Sequence, residues 1–259
     1  MEKASLEQRT LRQFDALFQF RAATSLSIKP ILESNDPGRT EDRNAFSDDD
    51  PDFFLEHVGP AHTLILNKFC VVRPQYILHT NVFTPQSDSL SENDLSAAWS
   101  VFSRLEMPHI IIYNCGVEAG SSLGYKHLQI LPRPPKQEFD FFPNTIGISE
   151  DTCTVPGIPF QHAVKRLSAK PSTSELVDVY QTLLTRANIG EAPAHNVIVV
   201  AEWMLVIPRV RPKQGGLSAN AAAMVGMVWV TKTDVLQEWL DHGPMRALCG
   251  FGVVDDMNL

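Results

Sequence analysis

The sequence predicts an α+β fold, an antiparallel sheet flanked by a few helices. Three observations carry this. Apolar runs of strand length are joined by hairpin-length connections, only a few segments have helical spacing, and the regular strand–helix alternation of a doubly wound sheet is missing. With 259 residues, 44% of them hydrophobic and 20% charged, the chain can bury a substantial core and has the composition of an ordinary soluble protein.

The elements follow in order. In "MEKASLEQRTLRQFDALFQF", Leu11, Phe14, Leu17 and Phe18 fall at helical spacing and predict an amphipathic helix. Charges run through this stretch, so it is not a signal peptide. Residues 33–57 are acidic, poor in aliphatics and broken by Pro and Gly, the pattern of a solvated loop. "HTLILNKFCVV" (62–72) and "YILHTNVF" (76–83) flank "RPQ" as strand, turn and strand. "SENDLSAAWSVFSRL" (91–105) opens with Ser91 and Asp94 in a capping-box pattern and sets Leu95, Ala98, Trp99 and Phe102 on one helical face. "HIIIYN" (109–114) and "KHLQIL" (126–131) are strands, the second stopped by Pro132, Pro134 and Pro135.

Residues 133–170 are rich in Pro and Phe without periodicity, and are expected to form a long surface excursion. In "TSELVDVYQTLLTRANIG" (173–190), Leu176, Val179, Tyr180, Leu183 and Leu184 line one side of a helix that Gly190 follows. Three strands, "HNVIVVAE", "WMLVIPR" and "MVGMVWV", and a terminal helix, "TDVLQEWLDHG", complete the chain.

The net charge of -8 argues against nucleic-acid or anionic-membrane partners, and no apolar run reaches the length of a membrane span. It leaves room for a small anionic ligand held by local donors. Cys70, Cys115, Cys153 and Cys249 are scattered among apolar neighbours with no C-x-x-C pair, which predicts reduced, buried thiols in a cytoplasmic or nuclear protein and no metal site.

The stretch with chemical content is "GSSLGYKHLQI" (120–130). Strand alternation puts Tyr125, His127 and Gln129 on one face and Lys126, Leu128 and Ile130 on the other. The polar face opens to a cleft or solvent, while Leu128 and Ile130 serve the core. Upstream, residues 120–122 offer backbone N–H groups and two hydroxyls, and Gly120 lets a phosphate approach the backbone. A neutral imidazole is a competent nucleophile toward phosphorus. Gln129 can hydrogen-bond a phosphate oxygen but cannot exchange protons. Strand parity alone leaves two readings open, polar decoration or nucleotidyl transfer.

Other segments extend the pattern. "LNKF" (66–69), "YNCG" (113–116), "GSS" and "KHLQI" occur in that order; "HNVIVVAEWMLVIPR" (195–209), "LSANAAAMVGM" (217–227) and "LCGF" (248–251) follow, and "SLSIKP" (25–30) precedes. Together they resemble the fungal diadenosine tetraphosphate phosphorylase (ATP adenylyltransferase) family, in the galactose-1-phosphate uridylyltransferase-like branch of the histidine-triad superfamily. The resemblance runs from about residue 25 onward, apart from the acidic loop and residues 133–170. It implies a histidine-triad-like fold with segments 1–170 and 171–259 in one compact body.

It also implies an activity: phosphorolysis of diadenosine tetraphosphate to ATP and ADP. His127 matches the nucleophile that takes AMP, and Gln129 the residue that holds the α-phosphate. Asn114, Gly120, Ser121 and Ser122 match the phosphate cluster. Lys29, Asn67 and Lys68 match substrate contacts, and Asn220 and Met227 match residues reaching the second nucleotide. The partners implied are a nucleotide and inorganic phosphate; there is no resident cofactor, although a divalent cation can accompany the nucleotide. The chain departs from the family where Tyr125 replaces the first histidine of His-x-His-x-Gln, at Leu123-Gly124, at Thr231 where a lysine is usual, and in a shorter N-terminal part. The alternatives are hydrolysis of dinucleoside polyphosphates and nucleotide binding with weakened catalysis.

Overall fold

The computed structural model describes residues 9–13, 16–22, 46, 51–145, 147, 153–190 and 193–254. Its elements run β1 (Arg9–Gln13), β2 (Ala16–Ala22), β3 (Phe54–Val58), β4 (His62–Leu66), β5 (Tyr76–Thr80), α1 (Glu92–Phe102), β6 (His109–Cys115), β7 (His127–Pro132), β8 (Ala163–Arg166) and α2 (Thr173–Arg186). They continue with β9 (His195–Val199), β10 (Trp203–Pro208), β11 (Lys213–Gln214), β12 (Leu217–Ser218), α3 (Ala221–Met224), β13 (Met227–Val230), α4 (Thr233–His242) and α5 (Pro244–Phe251).

Eight strands form one antiparallel sheet in the order β3-β4-β5-β7-β6-β9-β10-β8. Both faces are covered, so the central strands β6, β9 and β10 are buried along their whole length. On one face Leu78, Ile111, Leu128, Ile130, Val197 and Met204 pack under α1 and α2. On the other, Ile110, Ile112, Leu131, Ile198 and Leu205 pack under aromatics from residues 139–160 and under the second sheet, β1-β2-β13. The α1 start is the expected capping box: Asp94 N–H donates to Ser91 Oγ (3.3 Å) and Ser91 N–H to Asp94 Oδ2 (2.7 Å).

Four expectations change. The N-terminal amphipathic helix is instead the hairpin β1–β2, because β2 pairs in parallel with β13 and thereby buries Phe18 and Phe20, two residues apart, in one core. Leu11, Phe14, Leu17 and Phe18 follow the helical period while Phe18 and Phe20 follow the strand period, and a partner strand near the other end of the chain decides between them. The acidic loop ends in β3, paired with β4. The described part of residues 133–170 is a cover rather than a surface excursion: Phe139, Phe141, Phe142 and Phe160 are buried. Irregular backbone is tolerated there because side chains satisfy it, as where Val155 N–H donates to His162 Nε2 (2.7 Å). Finally, Met224 ends α3, so the last strand is shorter, and α5 was not foreseen. All four cysteines are reduced thiols, but among them only Cys115 is fully buried.

Candidate active site

His127 opens β7 in the middle of the sheet, directly across the ladder from His79 on β5. Its Nδ1 donates to the Tyr125 carbonyl (2.8 Å), which fixes the neutral tautomer with the lone pair on Nε2. The alternation holds. Leu128 and Ile130 lie in the core under α1 and α2, and Gln129 is set across from Ile112, which belongs to the opposite core. The polar face is less open than expected: His127 is 5% and Gln129 7% exposed.

Two amides beside the imidazole are locked in orientation by their neighbours. Asn114 Oδ1 accepts from Asn196 Nδ2 (2.9 Å), its cross-strand partner on β9, and from Ala221 N–H (2.8 Å). Both lone pairs are thus engaged, and what Asn114 can offer a ligand is its Nδ2 donors. Gln129 Oε1 accepts from Gln75 Nε2 (2.7 Å), while Gln75 Oε1 accepts from Val71 N–H (2.9 Å). Gln129 is likewise left with its Nε2 donors to offer. Two neutral amide donors on residues flanking His127 in the sheet suit the non-bridging oxygens of a phosphoryl group.

Behind them lies a buried guanidinium. Arg209 donates to the carbonyls of Ala119 (3.1 Å), Ala219 (2.9 Å), Arg211 (3.0 Å) and Phe251 (3.1 Å), and to Asn196 Oδ1 (2.5 Å). Burial pulls it down to about 9, so it remains a cation at neutral pH. It ties the residue before the 120–122 turn to the residue before Asn220.

Those two segments touch at Gly120. Its φ is +87°, and a Cβ there would lie 2.4 Å from the Ala219 carbonyl oxygen and 2.9 Å from Asn220 Cα. The glycine therefore serves a backbone–backbone contact with the C-terminal segment. Ser121 is buried and its Oγ donates to the Leu123 carbonyl (2.5 Å), while Ser122 is half-buried. Asn220 caps α3, its Oδ1 accepting from Ala223 N–H (3.1 Å).

On the opposite face, Lys126 is buried rather than solvated. Its Nζ donates to Asp94 Oδ2 (2.9 Å) and the Ser89 carbonyl (2.8 Å), and His62 Nε2 donates to Asp94 Oδ1 (2.7 Å). Burial would raise the Asp94 carboxyl, but the His62 bond and the Lys126 ammonium outweigh it and hold it well below the usual carboxylate range. Beside His127 stands an aromatic group. Phe46 stacks on His79 (4.5 Å between centroids) and lies 5.5 Å from both Tyr125 and His127. Burial lowers the pKa of His79.

Of the remaining expected residues, Asn67 is buried and closes a turn, Oδ1 accepting from Phe69 N–H (2.9 Å), and Gln75 links that turn to Gln129 through the bond from Asn67 N–H to the Gln75 carbonyl (2.8 Å). Lys68 Nζ lies 4.7 Å from the Phe53 ring centroid. Met227 starts β13, a strand of the second sheet, and is buried in the core on that side. Lys29 lies outside the described residues. Among the described residues, no group of three His, Cys, Asp or Glu side chains could hold a metal ion. Gln75, Gln86, Asn196 and Arg209 were missed: each acts through another residue, and the only signal was a polar side chain inside or beside an apolar strand.

Residues 1–146 match the family described as Ap4A phosphorylase N-terminal domain, and residues 156–254 match ATP adenylyltransferase C-terminal domain. The chain belongs to the Ap4A phosphorylase family. Among members of Saccharomyces cerevisiae, diadenosine 5',5'''-P1,P4-tetraphosphate phosphorylase 2 is 29% identical across 88% of this chain and 82% of its own length. Protein APA1 is 30% identical across 74% of this chain and 69% of its own. The solved structure of yeast Ap4A phosphorylase Apa2 superposes with a TM-score of 0.80 at 25% identity, over 96% of this chain and 90% of that one. Its complex with AMP gives 0.79 at 25% identity, over 96% and 88%. The antiparallel α+β architecture of this phosphorylase is thus that of its family.

Proposed function

We propose that the chain is an ATP adenylyltransferase that phosphorolyses diadenosine tetraphosphate through an AMP adduct on His127. The observation that carries this is the His127 Nδ1 bond to the Tyr125 carbonyl (2.8 Å), which puts the lone pair of the neutral ring on Nε2. Nε2 attacks the phosphorus next to one adenosine. The P–N bond forms as the bond to the bridging oxygen breaks, and ATP leaves. Inorganic phosphate then attacks the same phosphorus, the P–N bond breaks, and ADP departs with the imidazole restored. Splitting the displacement in two suits a site whose donors, Asn114 Nδ2 and Gln129 Nε2, can hold the same oxygens in both halves.

Phosphate is the fitting acceptor because it is already an oxyanion at neutral pH. Water would need a base, which Gln129 cannot be. Tyr125 does not weigh against turnover, since its contribution to the nucleophile is a backbone carbonyl, which any residue at that position supplies. We place the activity in the cytoplasm on the strength of the four reduced cysteines.

Intact-mass measurement after mixing with Ap4A should show one AMP added, absent in His127→Ala. That variant should lose at least about 4 kcal/mol of barrier lowering, roughly 1,000-fold in kcat. Near-wild-type turnover by His127→Ala would sink the mechanism. Release of AMP at full rate without phosphate would favour hydrolysis.

A further inference from the structure

The ladder between β6 and β7 pairs Ile112 with Gln129 and goes no further, although two residues on in the same register Asn114 would face His127. A side chain fills that interval. Gln86 Oε1 accepts from the His127 backbone N–H (2.7 Å), and its Nε2 donates to the Asn114 carbonyl (2.9 Å) and the His127 carbonyl (3.2 Å). We propose that Gln86 is a positioning residue for adenylyl transfer: its amide stands in for a peptide group where β6 and β7 part, and sets His127 and Asn114 at the spacing a phosphoryl group requires.

The arrangement admits one orientation of the amide, because the oxygen must meet an N–H and the nitrogen two carbonyls. It is anchored on the main chain as well. Gln86 N–H donates to the Gly124 carbonyl (2.8 Å), and the Gln86 carbonyl accepts from Gly116 N–H (3.0 Å) and from Tyr113 OH (2.9 Å). Gln86 is 3% exposed, so swinging its side chain away would strand buried polar groups on both strands. In a closed antiparallel pair, facing residues stand about 4.5–5.5 Å apart and their side chains touch. An amide inserted between the strands widens that gap while keeping both backbones bonded. Gln86 therefore acts as spacer and clamp at once.

The proposal rests on His127 being the nucleophile. Its test uses the full chain carrying Gln86→Met or Gln86→Glu, with Ap4A and inorganic phosphate as substrates. Read out are kcat, KM, thermal midpoint, and the single-turnover rate at which AMP appears on the protein by mass. Because a displacement of about 1 Å can cost about 100-fold, Gln86→Met should lower kcat and the single-turnover rate together by at least about 30-fold with KM within about 3-fold. Gln86→Glu keeps an acceptor for His127 N–H but sets its second oxygen against the Asn114 and His127 carbonyls, and should fall at least as far as Met. A folded Gln86→Met variant that attaches AMP within about 3-fold of the wild-type rate overturns the proposal. Wild-type protein that turns over without ever carrying AMP overturns the His127 reading instead. Hydrogen exchange of the His127 backbone amide in wild-type protein judges the clamp whatever the variants do. Protection like that of β7 ladder amides is expected, and exchange at the rate of an open loop overturns it.

Discussion

Gly120→Ala probes the seam between the two halves of the site. Gly120 has φ +87°, and an added Cβ would meet the Ala219 carbonyl oxygen at 2.4 Å where ordinary contact begins at 3.4 Å, so the turn and the Ala219–Asn220 backbone must separate by about 1 Å. Gly59 supplies the control, for its φ is +59° and a methyl added there would have nothing within 4 Å. Gly59→Ala should cost only the left-handed conformation, about 1–2 kcal/mol. Gly120→Ala adds overpacking against backbone that cannot rotate away, about 1–3 kcal/mol more, for a total of about 2–5 kcal/mol. The same displacement moves Ala221 N–H relative to Asn114 Oδ1, so kcat should drop by up to about 100-fold while Gly59→Ala keeps full activity. Urea denaturation and steady-state phosphorolysis read the two effects. Equal stability losses in the two variants, or a Gly120→Ala kcat within about 2-fold of wild type, would refute the seam.

Three further outcomes are expected. Asp94→Asn leaves the Lys126 ammonium buried without its counter-charge and should destabilise by about 3–5 kcal/mol in urea, whereas Asp94→Leu with Lys126→Met should recover part of that loss. His195 is fully buried between Tyr180 OH (2.8 Å from Nε2) and the Pro193 carbonyl (3.0 Å from Nδ1), and burial lowers it from 6.5 to about 4. The unfolded chain takes up this proton near pH 6.5 and the folded one only near pH 4, so the stability His195 confers is complete above 6.5 and falls away toward 4. Between pH 7 and 4.5 the wild type should lose about 2 kcal/mol more than His195→Gln, and equal losses would contradict the assignment. Gln75→Leu should lower kcat/KM about 10-fold by releasing the Gln129 amide from its fixed orientation, and Gln75→Glu should be worse, because a carboxylate would turn the Gln129 oxygen toward the phosphate.

Much of the fold is legible in the chain itself. The strands around His127 alternate strictly, so the pairing of His127 with Gln129 on one face and of Leu128 with Ile130 on the other follows from a two-residue period. The helices α1 and α2 announce themselves through caps and a 3.6-residue apolar stripe. Where local pattern is ambiguous, reading fails. Leu11, Phe14, Leu17 and Phe18 suit a helix while Phe18 and Phe20 suit a strand, and the parallel pairing of β2 with β13 resolves it. The phenylalanines of residues 139–160 have no period at all, because they cover a sheet face from irregular backbone.

The site divides along the same line. Which residue types could do phosphoryl chemistry, and on which face of which strand, is local information, carried by alternation and by motifs a few residues long. The orientation of those groups is not local. Gln129 takes its direction from Gln75, Asn114 from Asn196 and Ala221, the His127 backbone from Gln86, and the 120–122 turn from Arg209 and Asn220. Hydrogen bonds reach only about 3 Å, so these partners exist only once the sheet has brought segments up to 107 residues apart into contact. Tyr125 illustrates both sides of the division. In the sequence it is a missing histidine beside the proposed nucleophile, and in the folded chain its carbonyl holds the His127 ring.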